Sequence, residues 1–95
     1  MAAYALVNVQ VTDSAGFLDY RELVPATIAA FGGRYLTRGG ATEVLEGGWK
    51  PNRLVILEFP DVAALKAWYH SPEYQRLLEL RKRTATADFV IIDGV

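Results

Sequence analysis

The sequence predicts an α+β fold: a four-stranded antiparallel sheet with helices on one face, built from a βαββαβ chain. Three observations carry this. Four short stretches, at 3–11, 34–38, 53–59 and 88–93, have the composition and alternation of strands. Apolar residues at helical spacing fill the intervals after the first and the third of them. Glycine, proline and asparagine cluster at the joints, as at Gly32-Gly33 and Gly47-Gly48-Trp49-Lys50-Pro51-Asn52. At 95 residues the chain has the size of one domain, so 1–95 is read as one unit.

In the first strand Ala3, Ala5, Val7, Val9 and Val11 lie on one face, and Tyr4, Leu6, Asn8 and Gln10 on the other. Thr12 and Asp13 are good N-cap types for the helix that follows. Phe17, Tyr20, Val24, Ile28 and Phe31 recur along that helix at helical spacing. Pro25 inside it is expected to bend or interrupt it, and Gly32-Gly33 to end it. After the second strand, Gly39-Gly40 reads either as a hairpin turn or as a kink in a longer strand reaching Glu46. The third strand, Arg53 to Phe59, is the clearest in the chain. Asp61 caps the next helix, with Leu65 and Trp68 on one side of it. Ser71-Pro72-Glu73 restarts it with a serine cap, a proline in the first turn and an acid beside it. Tyr74, Leu77, Leu78 and Arg81 share a face of this last helix. The element order is the ferredoxin-like pattern.

Composition excludes several functions. Ten Lys plus Arg balance eleven Asp plus Glu, so no basic surface for nucleic acid is expected. Without cysteine there is no disulfide, thiol nucleophile or Cys-ligated metal, and a lone His70 does not make a zinc site. No cofactor is expected. No stretch approaches the roughly 20 apolar residues of a membrane span. The start of the chain lacks the features of a secretory signal, which points to a cytoplasmic protein.

Helices on one face leave the other face of the sheet bare. Parity assigns to it Leu6, Asn8 and Gln10; Arg34, Leu36 and Arg38; Leu54, Ile56 and Glu58; and Phe89, Ile91 and Asp93. So much adjoining apolar surface calls for a cover, and a second copy of the chain would supply it. Apolar residues with a few convergent polar groups also suit a ligand pocket.

Several stretches resemble the DUF1330 family of the dimeric α+β barrel superfamily. They include Phe31-Gly32-Gly33-Arg34-Tyr35-Leu36, Arg38-Gly39-Gly40, Leu57-Glu58-Phe59-Pro60 and Trp68-Tyr69-His70-Ser71-Pro72-Glu73-Tyr74. The resemblance spans nearly the whole chain. It implies a ferredoxin-like protomer and a homodimer with sheets face to face. It implies no reaction, and fold analogy alone supplies none.

The candidate ligand-binding residues are Asn8, Tyr20, Arg38, Tyr69, Ser71, Tyr74, Arg81 and Asp93. Arg38 could grip a carboxylate with both arms of its guanidinium, or pair with Glu58 or Asp93. Asn8 could bond a ligand carbonyl or bridge the dimer seam. Ser71 reads as a cap rather than a nucleophile, because no acid–base partner is spaced to activate it. Tyr20 and Tyr74 read as core-edge residues with hydroxyls free to face a cavity, and Tyr69 clusters with Ser71 and Tyr74 at the helix junction. Arg81 lies on an apolar stripe, where it either snorkels or meets an anion. These residues suggest a homodimer that binds a small apolar acid or carbonyl compound between sheet and helices, with or without turnover. A non-catalytic dimer binding a metabolite or a protein is the alternative.

Overall fold

A computed structural model describes residues 1–95. Its elements are β1 (Ala3–Val11), α1 (Ser14–Ala30), β2 (Arg34–Arg38), β3 (Leu54–Phe59), α2 (Val62–Tyr69), α3 (Pro72–Thr84) and β4 (Ala85–Asp93). The strands form one antiparallel sheet in the order β2-β3-β1-β4. This is the expected ferredoxin-like α+β architecture. The shortest principal extent is 16 Å, which fits two layers, helices on sheet, with the second sheet face uncovered.

The caps fall where the sequence places them. Asp13 accepts from the Gly16 N–H, Asp61 from Ala64 and Ser71 from Tyr74. At the end of α1, Gly32 takes a φ of 78°. The N–H groups of Gly32 and Gly33 then donate back to the carbonyls of Ala29 and Ile28, both at 3.0 Å. Pro25 does not interrupt α1, which runs unbroken from Ser14 to Ala30. The proline does remove the N–H that would bond the Arg21 carbonyl four residues back. β4 begins at Ala85, earlier than the expected 88, because α3 feeds straight into the sheet. The Thr84 carbonyl accepts from the N–H groups of Thr12 and Asp13, which sets Ala85 beside Val11.

The core lies between the sheet and the helices. Ala3, Ala5, Leu57 and Phe59 from the sheet meet Val24, Ile28, Leu65, Trp68, Tyr74 and Leu78. Trp68 is 1% exposed, and its indole N–H donates to Thr27 Oγ1 at 3.0 Å. That bond meets the need of a buried donor. Gly33 is tied to this packing by space. A Cβ there would stand 2.5 Å from the Phe59 ring and 2.8 Å from Ile28 Cγ2. Gly33→Ala is therefore expected to destabilise the fold by about 1–3 kcal/mol, as core overpacking does. A melt of the variant matching wild type would contradict this packing.

Two features of the sheet depart from the parity reading. First, β4 pairs with β1 so that Phe89 opposes Val7, Ile91 opposes Ala5 and Asp93 opposes Ala3. Directly paired residues share a face, so Phe89, Ile91 and Asp93 lie on the helix side, and Asp88, Val90 and Ile92 on the open side. The run Phe89-Val90-Ile91-Ile92 is apolar at both parities, so alternation could not decide. Second, β2 carries a bulge. Tyr35 pairs with Leu57 but Thr37 pairs with Ile56, which makes Leu36 an extra residue. The slip moves Arg38 to the helix side, opposite Val55. The open face thus presents Leu6, Leu54, Ile56, Val90 and Ile92, with Val90 and Ile92 more than half exposed.

Gly39 resolves the open question about the second turn. Its φ of 75° turns the chain out of β2 after Arg38. Residues 39–53 then run without regular structure before β3, so there is neither a two-residue hairpin nor a strand reaching Glu46.

Candidate functional site

An apolar cavity lies on the helix side of the sheet, beneath α1. Val7, Val9, Val55 and Leu57 form its floor, and Phe17, Val24 and Ile28 of α1 its roof. Trp68 and Phe89 close one wall, and Tyr20 and Tyr35 contribute their rings. Empty space in and around it, open solvent included, amounts to about 470 Å³. The remaining lining residues are Arg21, Arg38, Arg53 and Arg81. No acidic residue lines the cavity.

Each arginine reaches the cavity by a route the fold explains. Arg38 arrives through the β2 bulge. Its guanidinium donates to the Arg21 carbonyl, the acceptor that Pro25 leaves without a helical donor. It also lies over the Tyr35 ring, 4.6 Å from the centroid. Arg53 precedes β3, with its guanidinium carbon 5.9 Å from the centre of the Phe17 ring. Arg21 follows Phe17 by one helical turn. Arg81, on α3, is 6% exposed. It does not snorkel to water, as its place on the stripe allowed.

None of these four has a carboxylate partner. The chain's one ion pair joins Arg34 to Glu58 at 2.8 Å, on the open face. This overturns the pairing of Arg38 with Glu58 or Asp93. Glu58 is taken by Arg34, and Asp93 lies on β4, at the opposite edge of the sheet from β2. The Nε atoms of Arg53 and Arg81 are buried without a hydrogen-bond partner. Burial, followed by the charges of Arg21 and Arg38, lowers the pKa of Arg53. Arg81 is thus buried without a carboxylate partner, while Arg38 and Arg53 are partly exposed and Arg21 is exposed.

Beside Arg81 lies a pair of phenols. The Tyr20 and Tyr74 hydroxyls are 2.9 Å apart. Burial pushes the pKa of Tyr20 far up, and the nearby Tyr74 adds to this; burial also raises Tyr74. Arg81 pulls both the other way without cancelling the rise. The two phenols are thus neutral hydrogen-bonding groups, not bases.

Three of the eight candidate residues, Tyr20, Arg38 and Arg81, line the cavity. Tyr74 stands behind Tyr20 and is fully buried. Ser71 is a cap: its Oγ donates to the Trp68 carbonyl at 2.7 Å and accepts from the Tyr74 N–H at 3.2 Å. Tyr69 lines a separate shallow cleft with Lys66, His70, Phe89 and Ile91. Asn8 faces the open side, where its side-chain oxygen accepts from the Asn52 N–H at 2.9 Å and anchors the loop before β3. Asp93 is exposed at the sheet edge. Arg21 and Arg53 were missed, although each left a signal. Arg53 shares parity with Val55, Leu57 and Phe59, and Arg21 falls on the stripe of Phe17, Val24 and Ile28.

The family model described as "Domain of unknown function (DUF1330)" matches residues 2–95. Among solved structures, a protein of unknown function from Rhodopseudomonas palustris superposes with a TM-score of 0.78 at 17% identity, covering 99% of this chain and 82% of that one. A dimeric ferredoxin-like protein of unknown function from Jannaschia sp. gives 0.73 at 17% identity, covering 99% and 100%. SnoaB, a cofactor-independent oxygenase from Streptomyces nogalater, gives 0.69 at 14% identity, covering 99% and 93%. At these identities the likeness is one of fold. No curated protein matches the chain. No helix is long and apolar enough to cross a membrane.

Proposed function

We propose that this chain, which belongs to the DUF1330 family, works as a homodimer that binds a small apolar organic acid in the cavity beneath α1. The observation that carries the reading is unmatched charge: four arginines and no acid line an otherwise apolar cavity. Arg81 is the buried one of the four, and a buried cation without a carboxylate partner costs several kcal/mol, roughly. A protein that only needed a core would place hydrocarbon there. A ligand carboxylate would supply the missing partner, with guanidinium forks to receive it and the apolar walls to take its hydrocarbon part.

Binding is favoured over turnover by what the lining lacks. It offers no carboxylate, imidazole, amine or thiol to accept a proton, and its phenols are held neutral. One observation favours a second reading, cofactor-free catalysis. The Tyr20 and Tyr74 hydroxyls with Arg81 would stabilise a carbonyl oxygen that gains negative charge. Such a reaction would need a base from the partner or from the substrate itself.

The dimer uses the open sheet face, where Leu6, Leu54, Ile56, Val90 and Ile92 otherwise meet water. The cavity is on the opposite side, so each protomer would keep its own site.

Thermal melts with a panel of aliphatic and aromatic carboxylic acids test the binding reading. A ligand at a hundred times its Kd is expected to stabilise wild type by about 2.7 kcal/mol. Arg53→Met should fold and lose most of that response. Melts of wild type unmoved by every acid, beside an unresponsive Arg53→Met, would remove the reading.

A further inference from the structure

We infer that residues 39–52 form an arm that crosses to the second protomer and seats Leu45 in that protomer's cleft between α2 and β4. This rests on the face-to-face dimer and gives that assembly a second contact surface. Residues 39–50 are all exposed, and among them Leu45 is 87% and Trp49 62% exposed. No hydrogen bond or ion pair ties residues 40–50 to the body of the fold. A Cβ on Gly47 or Gly48 would meet nothing within 4 Å. A structureless connection of this length is uncommon in a compact domain and usually serves binding.

The arm starts where a partner is expected. Its second root lies on the open sheet face, where the Asn52 N–H donates to the Asn8 side chain. About six residues out and back reach roughly 20 Å from the roots. Packed sheets lie only about 10 Å apart, so the tip can pass the partner's edge strand to its helix side. The bare face alone is small for a stable dimer. Strands of five to nine residues, four abreast, cover on the order of 500 Å², against about 800 Å² per partner in a stable interface. The apolar side chains of the arm would supply the difference.

Arm and cleft are complementary in chemistry and in level. Glu43-Val44-Leu45-Glu46 sets two carboxylates around two aliphatic side chains. The cleft sets Lys66 and His70 around Tyr69, Phe89 and Ile91, with no acid. None of Glu43, Glu46, Lys66 and His70 has an ion-pair partner within the chain. The arm joins β2 to β3 and the cleft flanks β4, at the opposite edge of the sheet. A two-fold axis parallel to the strands lays the β2 edge of one sheet over the β4 edge of the other and keeps levels along the strands. Those levels match: Leu54 and Asp88 both pair with Asn8, so the arm leaves the sheet one residue from the level of Phe89. Both arms then reach both clefts in one self-complementary contact. Leu45 covers the partner's Tyr69 and Phe89, which supplies the energy. Glu43 and Glu46 facing the partner's Lys66 and His70 add little at a surface but fix the register.

The chain has no cysteine, so an introduced pair is unique. Leu45→Cys combined with Ile91→Cys, treated with a short bismaleimide and run on a denaturing gel, should give a covalent dimer as the main product. Leu45→Cys alone, and Leu18→Cys combined with Ile91→Cys, should run as monomers. Leu45→Asp changes an exposed residue outside the core, so it should fold, and sedimentation should show its dimer Kd raised at least about tenfold, the scale of losing one interface anchor. A dimeric wild type would leave the face-to-face assembly standing and overturn the arm if the cysteine pair gave no covalent dimer. A link within one chain, Leu45→Cys linking to its own copy, or Leu45→Asp dimerising like wild type would overturn the arm in the same way. A wild type that sediments as a monomer would overturn both.

Discussion

Arg81→Met is expected to stabilise the ligand-free protein while destroying its response to ligand. The side chain is 6% exposed, has no carboxylate partner, and leaves its Nε without a hydrogen bond. Methionine has similar length and carries no charge to desolvate, though it gives up the hydrogen bond to Tyr74. Replacing poorly compensated buried charge with packed hydrocarbon is often stabilising by about 1–4 kcal/mol. In a chain of this size each kcal/mol moves the melting temperature by about 4–8 °C. The gain in the apo melt should come with loss of the upward shift that acids give wild type. That combination marks a residue kept for binding at the expense of stability. A large fall in the apo melting temperature would instead make Arg81 a structural residue and remove it from the site.

Ile56→Asp is expected to break the dimer or unfold the chain. Ile56 lies on the open sheet face opposite Leu6, and Val90 opposes Leu6 from the other side. In a sheet-to-sheet dimer these residues fall within the seam, where an unpaired carboxylate costs about 3–5 kcal/mol. Sedimentation at micromolar concentration should show wild type as a dimer and Ile56→Asp as a monomer or an aggregate. Leu18→Asp is the control. Leu18 is a comparably apolar residue, 49% exposed on α1 and away from that face, so its variant should remain dimeric. A wild type that sediments as a monomer would refute the face-to-face assembly. If both variants stayed dimeric, the dimer would have to use another surface.

The sequence by itself determined the elements, their order and their caps. Asp13, Asp61 and Ser71 announce helix starts by chemistry that acts within three residues, and Gly32-Gly33 ends α1 in the same local way. Alternation in β1 and β3 fixed which face is buried, because each strand has one parity without charge or amide over most of its length. It also made Tyr20 and Arg81 visible, as polar ends on otherwise apolar helix stripes. The tertiary structure alone decided the rest. β4 is apolar at both parities, so only its register with β1 could turn Phe89 inward and Val90 outward. Arg38 reached the cavity through a bulge at Leu36, and a one-residue slip reverses every face assignment after it. Pro25 reads locally as a helix breaker, yet in the fold it frees the Arg21 carbonyl for Arg38. The gathering of Arg21, Arg38, Arg53 and Arg81 depends on four separate elements and segments meeting in space. No window of sequence contains that meeting, because the charges balance along the chain and separate only in three dimensions.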